Sequence, residues 1–287
     1  MQRNSGQRVP DYERLDKLLV RRGLVETRSR AQAVIMSGSV YVNGERVTKA
    51  GARVSVEANV EIRGKPIRYV SRGGLKLEHA LNFFGINPAG CVCMDVGAST
   101  GGFTDCLLQH GASRVYAVDV GYGQLDWKLR KDHRVVVLEK RNIRYLPREA
   151  VSDPIELATI DTSFISLKLV IPSVTGFLKK GAITIALIKP QFEAGRKQVG
   201  KGGVVRDPAV HDRVCSEIRS FMEDLGFDVL GITPSPILGP RGNREFFIAG
   251  VWKPHSVTTS GSEGNGELSI NPARLNNAKK ADKSLFL

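Results

Sequence analysis

The stretch Cys91-Val-Cys-Met-Asp-Val-Gly-Ala-Ser-Thr-Gly-Gly-Phe103 decides the fold of this chain. It is a short apolar run that ends in an acid, followed by a loop of small residues and a helical pattern that Gly111 stops. This order predicts a strand, a tight glycine turn and a helix. In an open α/β sheet, the backbone amides of such a turn and the helix N-terminus meet a nucleotide-like ligand.

A second predicted strand follows the turn and ends in a carboxylate. Arg114-Val-Tyr-Ala-Val-Asp119 places Asp119 about 20 residues beyond the loop, where an acid can hold a ribose diol. The ligand is therefore expected to carry adenosine. The candidate ligand-binding residues are Asp95, Gly97, Ser99, Gly101, Gly102 and Phe103 around the turn, Asp119 at the ribose, and Asn142 where such folds contact the adenine ring.

Two classes of ligand compete for this loop. Dinucleotide-binding loops follow Gly-x-Gly-x-x-Gly, whereas Ser99 stands here in place of the glycine that lets a pyrophosphate approach. The pattern Asp-x-Gly-x-x-x-Gly-Gly instead resembles the first motif of S-adenosylmethionine-dependent methyltransferases, whose acid lies near the methionine end of the cofactor. This resemblance favours S-adenosylmethionine, and a nicotinamide or flavin dinucleotide and a purely structural turn are the alternatives.

The rest of this region predicts a sheet. Further strands are expected at Arg134–Leu138, Ile155–Asp161, Gly181–Lys189, Phe227–Ile232 and Glu245–Trp252. Near-continuous apolar strands separated by helical stretches predict a Rossmann-like α/β fold with a parallel sheet, whose ligands gather at the carboxyl ends of the strands. A helix is predicted over Pro208–Leu225, and the basic, glycine-rich loop Lys197–Arg206 is expected to be a mobile segment over the substrate.

The N-terminal region predicts a small basic domain. Helices are expected from Tyr12 to Gly23 and from Arg28 to Ser37, followed by a hairpin around Asn43-Gly44 and a strand over Val54–Ile62. Residues 1–68 carry +7 of the total charge of +13, as a phosphate-binding module requires. A solvated basic face without a ligand is the alternative.

Four short sequence motifs of this region resemble the RNA-binding domain of the ribosomal protein S4 type. They are Arg14-Leu-Asp-Lys-Leu-Leu19, Ser29-Arg-Ala31, Gly38-Ser-Val-Tyr-Val-Asn-Gly44 and Val54-x-Val56. The resemblance implies a small α+β domain. The candidate RNA-binding residues on its basic helices are Arg14, Lys17, Arg21, Arg28 and Arg30.

The composition limits which binding partners and which cellular location are expected. The net charge of +13 favours a polyanion, and leaves nucleic acid and an anionic membrane surface open. No run of about 18 apolar residues and no signal peptide is evident, so we expect a cytoplasmic protein that does not span a membrane. The four cysteines are expected to be buried free thiols, and no metal site is predicted. A monomer is favoured, although no sequence feature decides the oligomeric state.

Four ionisable residues stand at positions that suggest function. Lys76 lies in a helical pattern before the first strand, Asp161 and Lys189 end the fourth and fifth strands, and Glu245 opens the last strand. Taken alone, each residue also has an explanation without a function. Lysines at strand ends are usually solvated, and Glu245 next to Arg244 could form a weak ion pair at the surface. In this order, the set resembles the ribose 2′-O-methyltransferases of the FtsJ/RrmJ class. The surrounding words extend the match: Ser71-Arg-Gly-Gly-Leu-Lys-Leu77, Asp95-Val-Gly-Ala-Ser-Thr-Gly-Gly-Phe-Thr104, Asp161-Thr-Ser-Phe-Ile-Ser166, Leu187-Ile-Lys-Pro-Gln-Phe-Glu193 and Gly239-Pro-Arg-Gly-Asn-Arg-Glu245.

Together with the N-terminal region, the chain resembles the TlyA family over roughly residues 12–252. The resemblance implies an S-adenosylmethionine-dependent methyltransferase that acts on the ribose of cytidine in 16S rRNA, 23S rRNA or both, with rRNA or ribosomal subunits as partners. Some members carry the older name hemolysin A. In this reading Lys189 is the general base, Asp161 orients it, and Glu245 positions Lys76 or the ribose. An ordinary lysine is charged at neutral pH, so Lys189 is expected to be desolvated and to lie beside the ammonium of Lys76.

Five segments are expected: a disordered start (1–10), an S4-like RNA-binding domain (11–64), a linker (65–70), an FtsJ-like methyltransferase domain (71–253) and a disordered basic tail (254–287). Two other functions compete. A non-catalytic ribosome-assembly factor would bind rRNA and use the nucleotide fold as a scaffold. A membrane-lytic hemolysin would need a spanning or strongly amphipathic segment, and none is evident.

Overall fold

The computed structural model describes residues 11–36, 38–63 and 68–254. The expected disordered start, residues 65–67 of the expected linker and residues 255–287 of the expected tail lie outside the described residues. The chain divides into two compact units, Met1–Arg72 and Gly73–Leu287. None of the helices in the described part of the chain has the length and apolar character that a bilayer span requires.

The first unit is made of short elements around a small apolar core. In chain order they are β1 (Tyr12–Arg14), α1 (Leu15–Arg21), α2 (Arg28–Met36), β2 (Val40–Val42), β3 (Glu45–Val47), β4 (Arg53–Ser55) and β5 (Val60–Ile62). β1 pairs with β4, and β3, β2 and β5 form an antiparallel sheet in that order. Leu15, Leu18 and Leu19 of α1 pack on Ala31 and Ile35 of α2.

Two expectations for the first unit are wrong. The first helix begins at Leu15 rather than Tyr12, because the three residues before it form a ladder with β4. The strand expected over Val54–Ile62 is two strands in different sheets, because a turn closed by Ala58 N and Ser55 O (3.0 Å) ends the first of them. The hairpin is confirmed, since Asn43 and Gly44 both have the positive φ that a type I′ turn requires.

The second unit is a mostly parallel α/β fold, as predicted. Its helices are α3 (Gly73–Phe84), α4 (Gly102–Gln109), α5 (Trp127–Arg130), α6 (Leu167–Thr175), α7 (Pro190–Glu193) and α8 (Pro208–Leu225). Its strands are β6 (Val92–Val96), β7 (Arg114–Val118), β8 (Val135–Leu138), β9 (Ile155–Ile160), β10 (Leu178–Ile188), β11 (Phe227–Pro234) and β12 (Phe246–Trp252). Short 3₁₀ turns lie at Ile143–Tyr145, Arg148–Ala150, Arg196–Gln198 and Pro240–Gly242.

The strand order is β11-β12-β10-β9-β6-β7-β8. β12 is antiparallel to both of its neighbours, and the sheet is parallel apart from this strand. The reason is its connection, since the chain returns from β11 through a short loop and parallel strands need a longer crossover. The long helix α8 lies where it was predicted, with Asp207 Oδ1 accepting a hydrogen bond from Ala209 N (2.9 Å) and Gly226 at φ 105° after its last turn. The four cysteines are buried and free, as predicted.

This topology creates one edge where several loops meet. β6 lies between β7 and β9, so the strand order reverses there, which is where open α/β sheets bind ligands. Four residues follow the strand ends or precede β12 at this edge: Gly97, Asp161, Lys189 and Glu245. We call this the carboxyl edge of the sheet.

Candidate active site

Lys189 comes directly after β10 and is nearly buried, with 7% of its surface exposed. Its Nζ lies 2.6 Å from Asp161 Oδ1 and donates hydrogen bonds to Thr162 O (2.9 Å) and Ser163 Oγ (3.0 Å). Asp161 ends the neighbouring strand, so the ion pair joins two adjacent strand ends. All three contacts are to oxygen atoms, which suit a charged ammonium.

Lys76 lies in α3 with 6% of its surface exposed, and its Nζ donates a hydrogen bond to Oε2 of the buried Glu245. Each of the two lysines therefore has its own carboxylate partner, Glu245 for Lys76 and Asp161 for Lys189. Gly239 closes over the Glu245 carboxylate, because a Cβ at Gly239 would overlap Oε1. Removal of either partner of a buried pair leaves an uncompensated charge, at a cost of roughly 3–5 kcal/mol.

The register of the sheet brings the two ion pairs together. β10 and β12 are antiparallel with Ile188 opposite Phe246, so the positions just beyond the ladder, Lys189 and Glu245, follow opposite each other. Asp161 adjoins Lys189 from the other side, through β9. The structure thus places all four sequence-predicted ionisable residues at the carboxyl edge.

Two buried polar atoms at this edge have no hydrogen-bond partner among the described residues: Glu245 Oε1 and Thr162 Oγ1. Asp161 Oδ1 is ion-paired to Lys189 but accepts no hydrogen bond within the same ranges. Buried polar atoms are nearly always bonded, and one left unsatisfied costs about 1–3 kcal/mol. A ligand that offers hydroxyl or ammonium groups would satisfy these atoms.

Asp95 lies beneath the glycine turn and is fully buried. Its carboxyl oxygens accept hydrogen bonds from Thr104 Oγ1 (2.7 Å) and Thr159 Oγ1 (3.1 Å). Burial raises the pKa of Asp95 to about 7, the two threonine hydroxyls oppose that rise, and the charge of Asp161 adds to it. The carboxyl group thus joins α4 to β9 from below and does not lie open to a ligand.

The glycine turn is shaped first by contacts within the protein. Gly97 has φ 87°, and a Cβ there would lie 2.6 Å from Asp161 O. Gly101 has φ 93°, and a Cβ there would overlap the side chain of Leu129. The close approach that the sequence assigns to a ligand is therefore already made by the end of β9 and by α5. Ser99, at φ 49°, is the exposed tip of the turn.

Two further candidates differ in what they can offer a ligand. Gly102 is the first residue of α4, so its backbone amide lies at the helix N-terminus. Phe103 is buried, and its ring centroid lies 6.1 Å from that of Phe247. The Phe103 side chain therefore belongs to the core, and only its backbone is placed to contact a ligand.

Asp119 and Asn142 retain groups that a ligand can use. The Asp119 carboxylate accepts hydrogen bonds from Ser99 N (2.7 Å) and Gly121 N (2.7 Å), which leaves about two of its four lone-pair sites. Asn142 Oδ1 accepts from Arg144 N (3.1 Å), and its amide nitrogen has no partner among the described residues. Asp119 thus ties the second strand end to the turn that it was predicted to serve.

Sequence reasoning missed two residues close in sequence to Asp161 and Lys189. Phe164 is 91% exposed at φ 64°, one residue beyond Ser163, and its ring centroid lies 5.1 Å from that of Phe192. Glu193 accepts hydrogen bonds from Ser166 Oγ (2.5 Å) and Leu167 N (2.8 Å), and so joins the loops that follow β9 and β10. The sequence feature that could have pointed to Phe164 is its place directly after the polar run Asp161-Thr-Ser163. A phenylalanine is usually expected in the core, so this position was not selected.

Asp16 organises the basic residues of the first unit. Its buried carboxylate accepts hydrogen bonds from Arg14 Nη2 (2.8 Å), Arg28 Nε (3.0 Å) and Gln32 Nε2 (3.1 Å). Burial alone would raise the pKa of Asp16, but hydrogen bonds from Arg14, Gln32 and Arg28 hold that pKa well below its usual range. Arg14 and Arg28 therefore combine a structural contact with partial exposure.

The other three candidate RNA-binding residues are held more loosely. Arg21 is exposed, and its Nε lies 2.9 Å from Glu13 Oε2. Arg30 is half-buried and donates a hydrogen bond to Tyr69 O (2.7 Å). Lys17 is exposed and has no side-chain partner among the described residues.

Two family models match the chain. The FtsJ-like methyltransferase model matches residues 69–252, and the S4 domain model matches residues 13–60. These matches confirm the resemblance seen in the sequence and the combination of an S4 domain with a Rossmann-like methyltransferase fold.

Three characterised or named relatives cover most of the chain. YqxC of Bacillus subtilis, named as a candidate rRNA methyltransferase, is 52% identical over 84% of this chain and 86% of its own length. The 16S/23S rRNA (cytidine-2′-O)-methyltransferase TlyA of Mycobacterium tuberculosis is 45% identical over 82% of this chain and 88% of its own. Hemolysin A of Brachyspira hyodysenteriae is 44% identical over 81% and 97%.

Solved structures show the same architecture. A candidate hemolysin of Streptococcus thermophilus is 41% identical, covers 96% of this chain and 97% of its own, and superposes with a TM-score of 0.68. A candidate hemolysin of Lactococcus lactis is 43% identical over 76% of this chain and all of its own, with a TM-score of 0.64.

Proposed function

This chain belongs to the FtsJ-like methyltransferase family, and we propose that it transfers a methyl group from S-adenosylmethionine to the 2′-hydroxyl of a cytidine in 16S rRNA, 23S rRNA or both. The observation that carries the proposal is the pair of buried lysine–carboxylate contacts at the carboxyl edge, beside the glycine turn. The activity printed in the name of the Mycobacterium tuberculosis relative supports the choice of base and RNA.

The reaction needs a group that takes the hydroxyl proton. A ribose hydroxyl is a weak nucleophile, and a positioned general base contributes typically 10²–10⁴-fold to such a step. We assign this role to Lys189, with Asp161 orienting its amine and stabilising the positive charge that it gains. Lys189 can accept the hydroxyl proton only as a neutral amine, so its ammonium first gives one proton to solvent. The substrate hydroxyl then takes the place of the Ser163 hydroxyl at Nζ and passes its proton to the amine as it attacks the methyl group.

The second ion pair positions the substrate. Lys76 holds one oxygen of Glu245 and leaves Oε1 without a partner among the described residues. We assign to Glu245 the role of positioning Lys76 or the ribose; a direct hydrogen bond from the ribose to Oε1 requires Gly239, which covers this oxygen, to move. Correct alignment of reacting groups supplies a large part of the rate in such reactions, so a small displacement of Glu245 matters even though it exchanges no proton.

The residues around the turn fit S-adenosylmethionine, which supplies an electrophilic methyl group when it is bound. The spare acceptor sites of Asp119 suit a ribose diol, and the free amide nitrogen of Asn142 suits adenine. Ser99, Gly97 and Gly101 form the turn, and the backbone at Gly102 and Phe103 opens α4. Asp95 acts on this site from beneath, through Thr104 and Thr159.

We assign RNA binding to the first unit. Its S4-type sequence and its exposed basic side chains support phosphate contacts, and we keep residues 11–64 and 71–253 as the proposed extents of the two domains. Phe164 supports a nucleic-acid substrate at the catalytic pair, because an exposed ring can stack on an unpaired base. With rRNA or a ribosomal subunit as the substrate, the protein acts in the cytoplasm. The proposed mechanism uses no metal ion and a single copy of the chain.

Methyl transfer from tritiated S-adenosylmethionine tests this function. The acceptors are unmodified small and large ribosomal subunits and the deproteinised 16S and 23S rRNA, followed by mass mapping of nucleosides. We expect 2′-O-methylcytidine in at least one acceptor. Binding of rRNA without any methylated nucleoside would favour a non-catalytic assembly factor, and methyl groups on bases alone would contradict the assignment of the ribose.

A further inference from the structure

A strongly basic surface lies in the second unit, apart from the residues assigned above. Two loops form it, residues 196–206 and residues 240–244, and neither contains an acid. We call them the basic loop pair. Its exposed cations are Arg196, Lys197, Lys201, Arg206, Arg241 and Arg244. Among the described residues, none of these six side chains forms an ion pair.

The two loops are fastened to each other. The buried Asn243 donates hydrogen bonds to Gly203 O (3.0 Å) and Pro240 O (3.1 Å), and its Oδ1 accepts from Val205 N (3.1 Å). Arg241, at φ 58°, donates to Gly202 O (2.7 Å). The first loop, expected from the sequence to be a mobile segment, is therefore held by side chains of the second.

The second loop leads directly into the active site. Asn243 stands two residues before Glu245, and Gly239 N donates a hydrogen bond to Asn243 O (2.8 Å). Gly239 is also the residue that closes over the Glu245 carboxylate. The cations of the basic loop pair are thus attached through a short, hydrogen-bonded segment to the carboxyl edge.

We propose that the basic loop pair is a second RNA-binding surface, which holds backbone phosphates of the strand that enters the active site. The inference rests on the proposed function and names how the second unit grips its substrate. Six exposed cations that form no ion pair among the described residues create a positive potential that attracts a polyanion, and each phosphate contact releases counterions. A merely solvated basic face would not require the buried asparagine and the arginine that hold the two loops together.

Charge removal in the full-length protein tests the proposal. The test variant is Lys197→Gln with Lys201→Gln, and the matched control is Lys131→Gln with Arg148→Gln. The control removes the same charge from two exposed residues that form no ion pair within the described ranges and that precede β8 and β9, at the opposite edge of the sheet. For each protein, rRNA binding and kcat/KM for methyl transfer are measured against salt concentration, and S-adenosylmethionine affinity is measured by calorimetry.

We expect the test variant to lower the slope of log Kd against log salt by about 1.4, which is about 0.7 for each lost single-strand contact. We expect kcat/KM to fall on the order of tenfold near 0.1 M salt, since the lost slope weakens binding most at low salt. Cofactor affinity should stay unchanged, and the control should stay within about twofold of the unaltered protein. Equal salt slopes for the test and control variants would overturn the proposal. Absence of methyl transfer by the unaltered protein would contradict the proposed function instead, and the binding slopes would still decide the role of the loop pair.

Discussion

The carboxyl edge of the second unit and the basic surface of the first unit use lysine and arginine in opposite ways. At the carboxyl edge, Lys76 and Lys189 are nearly buried, and each is held by one carboxylate. In the first unit, Lys17 and Arg21 are exposed and loosely held. Buried charges depend on the identity of one partner, whereas exposed charges act mainly through their number and are screened by salt. We therefore assign the same residue types to catalysis in one region and to RNA binding in the other.

The first unit contains one exception to this division. Asp16 is a buried carboxylate, and two of the candidate RNA-binding arginines, Arg14 and Arg28, are bonded to it. These two arginines link the packing of α1 and α2 to the proposed RNA-binding face. The comparison thus predicts that a change at Asp16 lowers stability, as does a change at the buried ion pairs of the carboxyl edge, although Asp16 lies in the first unit.

The largest expected effect is the loss of catalysis in Lys189→Ala. This change removes the proposed base, so we expect single-turnover methyl transfer to fall by about 10³-fold or more. Calorimetry and filter binding should show S-adenosylmethionine and rRNA affinities within a few-fold of the unaltered protein. Lys189→Arg keeps the charge but not the ability to lose a proton, and it should be nearly as inactive. Full activity in Lys189→Ala would remove this residue from the mechanism.

The next largest effect is on stability, at the other buried lysine. Glu245→Ala leaves the Lys76 ammonium buried without its partner, and we expect it to lower the free energy of unfolding by roughly 3 kcal/mol in urea titrations. The exposed pair between Lys253 and Asp228 provides the control, because Asp228→Ala should cost less than about 1 kcal/mol. Equal costs for the two changes would show that burial does not separate these ion pairs.

A double change separates stability from function at the same place. Lys76→Met with Glu245→Leu replaces the buried pair by apolar groups, which often restores stability. We expect this variant to recover most of the lost free energy of unfolding while methyl transfer stays at the level of Glu245→Ala. Recovery of activity would mean that the Glu245 carboxylate has only a structural role.

Much of this arrangement could be predicted from the sequence, because the signals are local. The strand, glycine turn and helix around Gly97 and the helix after Asp207 depend on neighbouring residues, and both lie where they were predicted. The motifs shared with the family also indicated four ionisable residues, and the sheet brings these residues to one edge. The contacts Lys189–Asp161 and Lys76–Glu245 were implied by the family resemblance and not by any local signal, since Lys76 and Glu245 are 169 positions apart.

Other features depend on packing across the fold, which the local sequence does not show. The sequence shows Phe103 beside the glycine turn, but its contact with Phe247 depends on a strand far along the chain. Gly97 was expected to make room for a ligand, whereas the atom that requires it is Asp161 O. In the first unit, the antiparallel partner of Tyr12–Arg14 is a strand later in the chain, and it shortens the helix that local periodicity favours.

Asp16→Asn tests the exception in the first unit. We expect it to lower the stability of α1 and α2 by about 2 kcal/mol at pH 7, as measured by amide hydrogen exchange, because it removes charge-assisted hydrogen bonds from two arginines. The folded-state pKa of Asp16 is depressed, so its contribution is present above the usual value of about 3.9 and is lost as the pH falls below that value. The stability of the variant should therefore change less than that of the unaltered protein between about pH 5 and pH 2. Parallel curves over this range would contradict the assignment.

Asp119→Ala should have a smaller effect that is confined to the cofactor. It removes the proposed acceptor for the ribose diol and two hydrogen bonds that hold the backbone at Ser99 and Gly121. We expect the dissociation constant for S-adenosylmethionine to rise about tenfold, equivalent to about 1.4 kcal/mol. Because Asp119 is half-buried at the end of a strand, thermal unfolding should shift little. Unchanged affinity in calorimetry would contradict the ribose assignment.

The smallest effect is expected from Lys17→Gln. Lys17 is exposed and has no partner within the described ranges, so the change should remove one phosphate contact and lower the salt slope of rRNA binding by about 0.7–0.9. Arg21→Gln should change that slope less, because Glu13 already neutralises part of the Arg21 charge. At saturating rRNA, kcat should stay the same in both variants, since a residue that only contacts a phosphate contributes to binding and not to the chemical step. A fall in kcat for Lys17→Gln would break the comparison, because an exposed charge in the first unit would then act on the reaction itself.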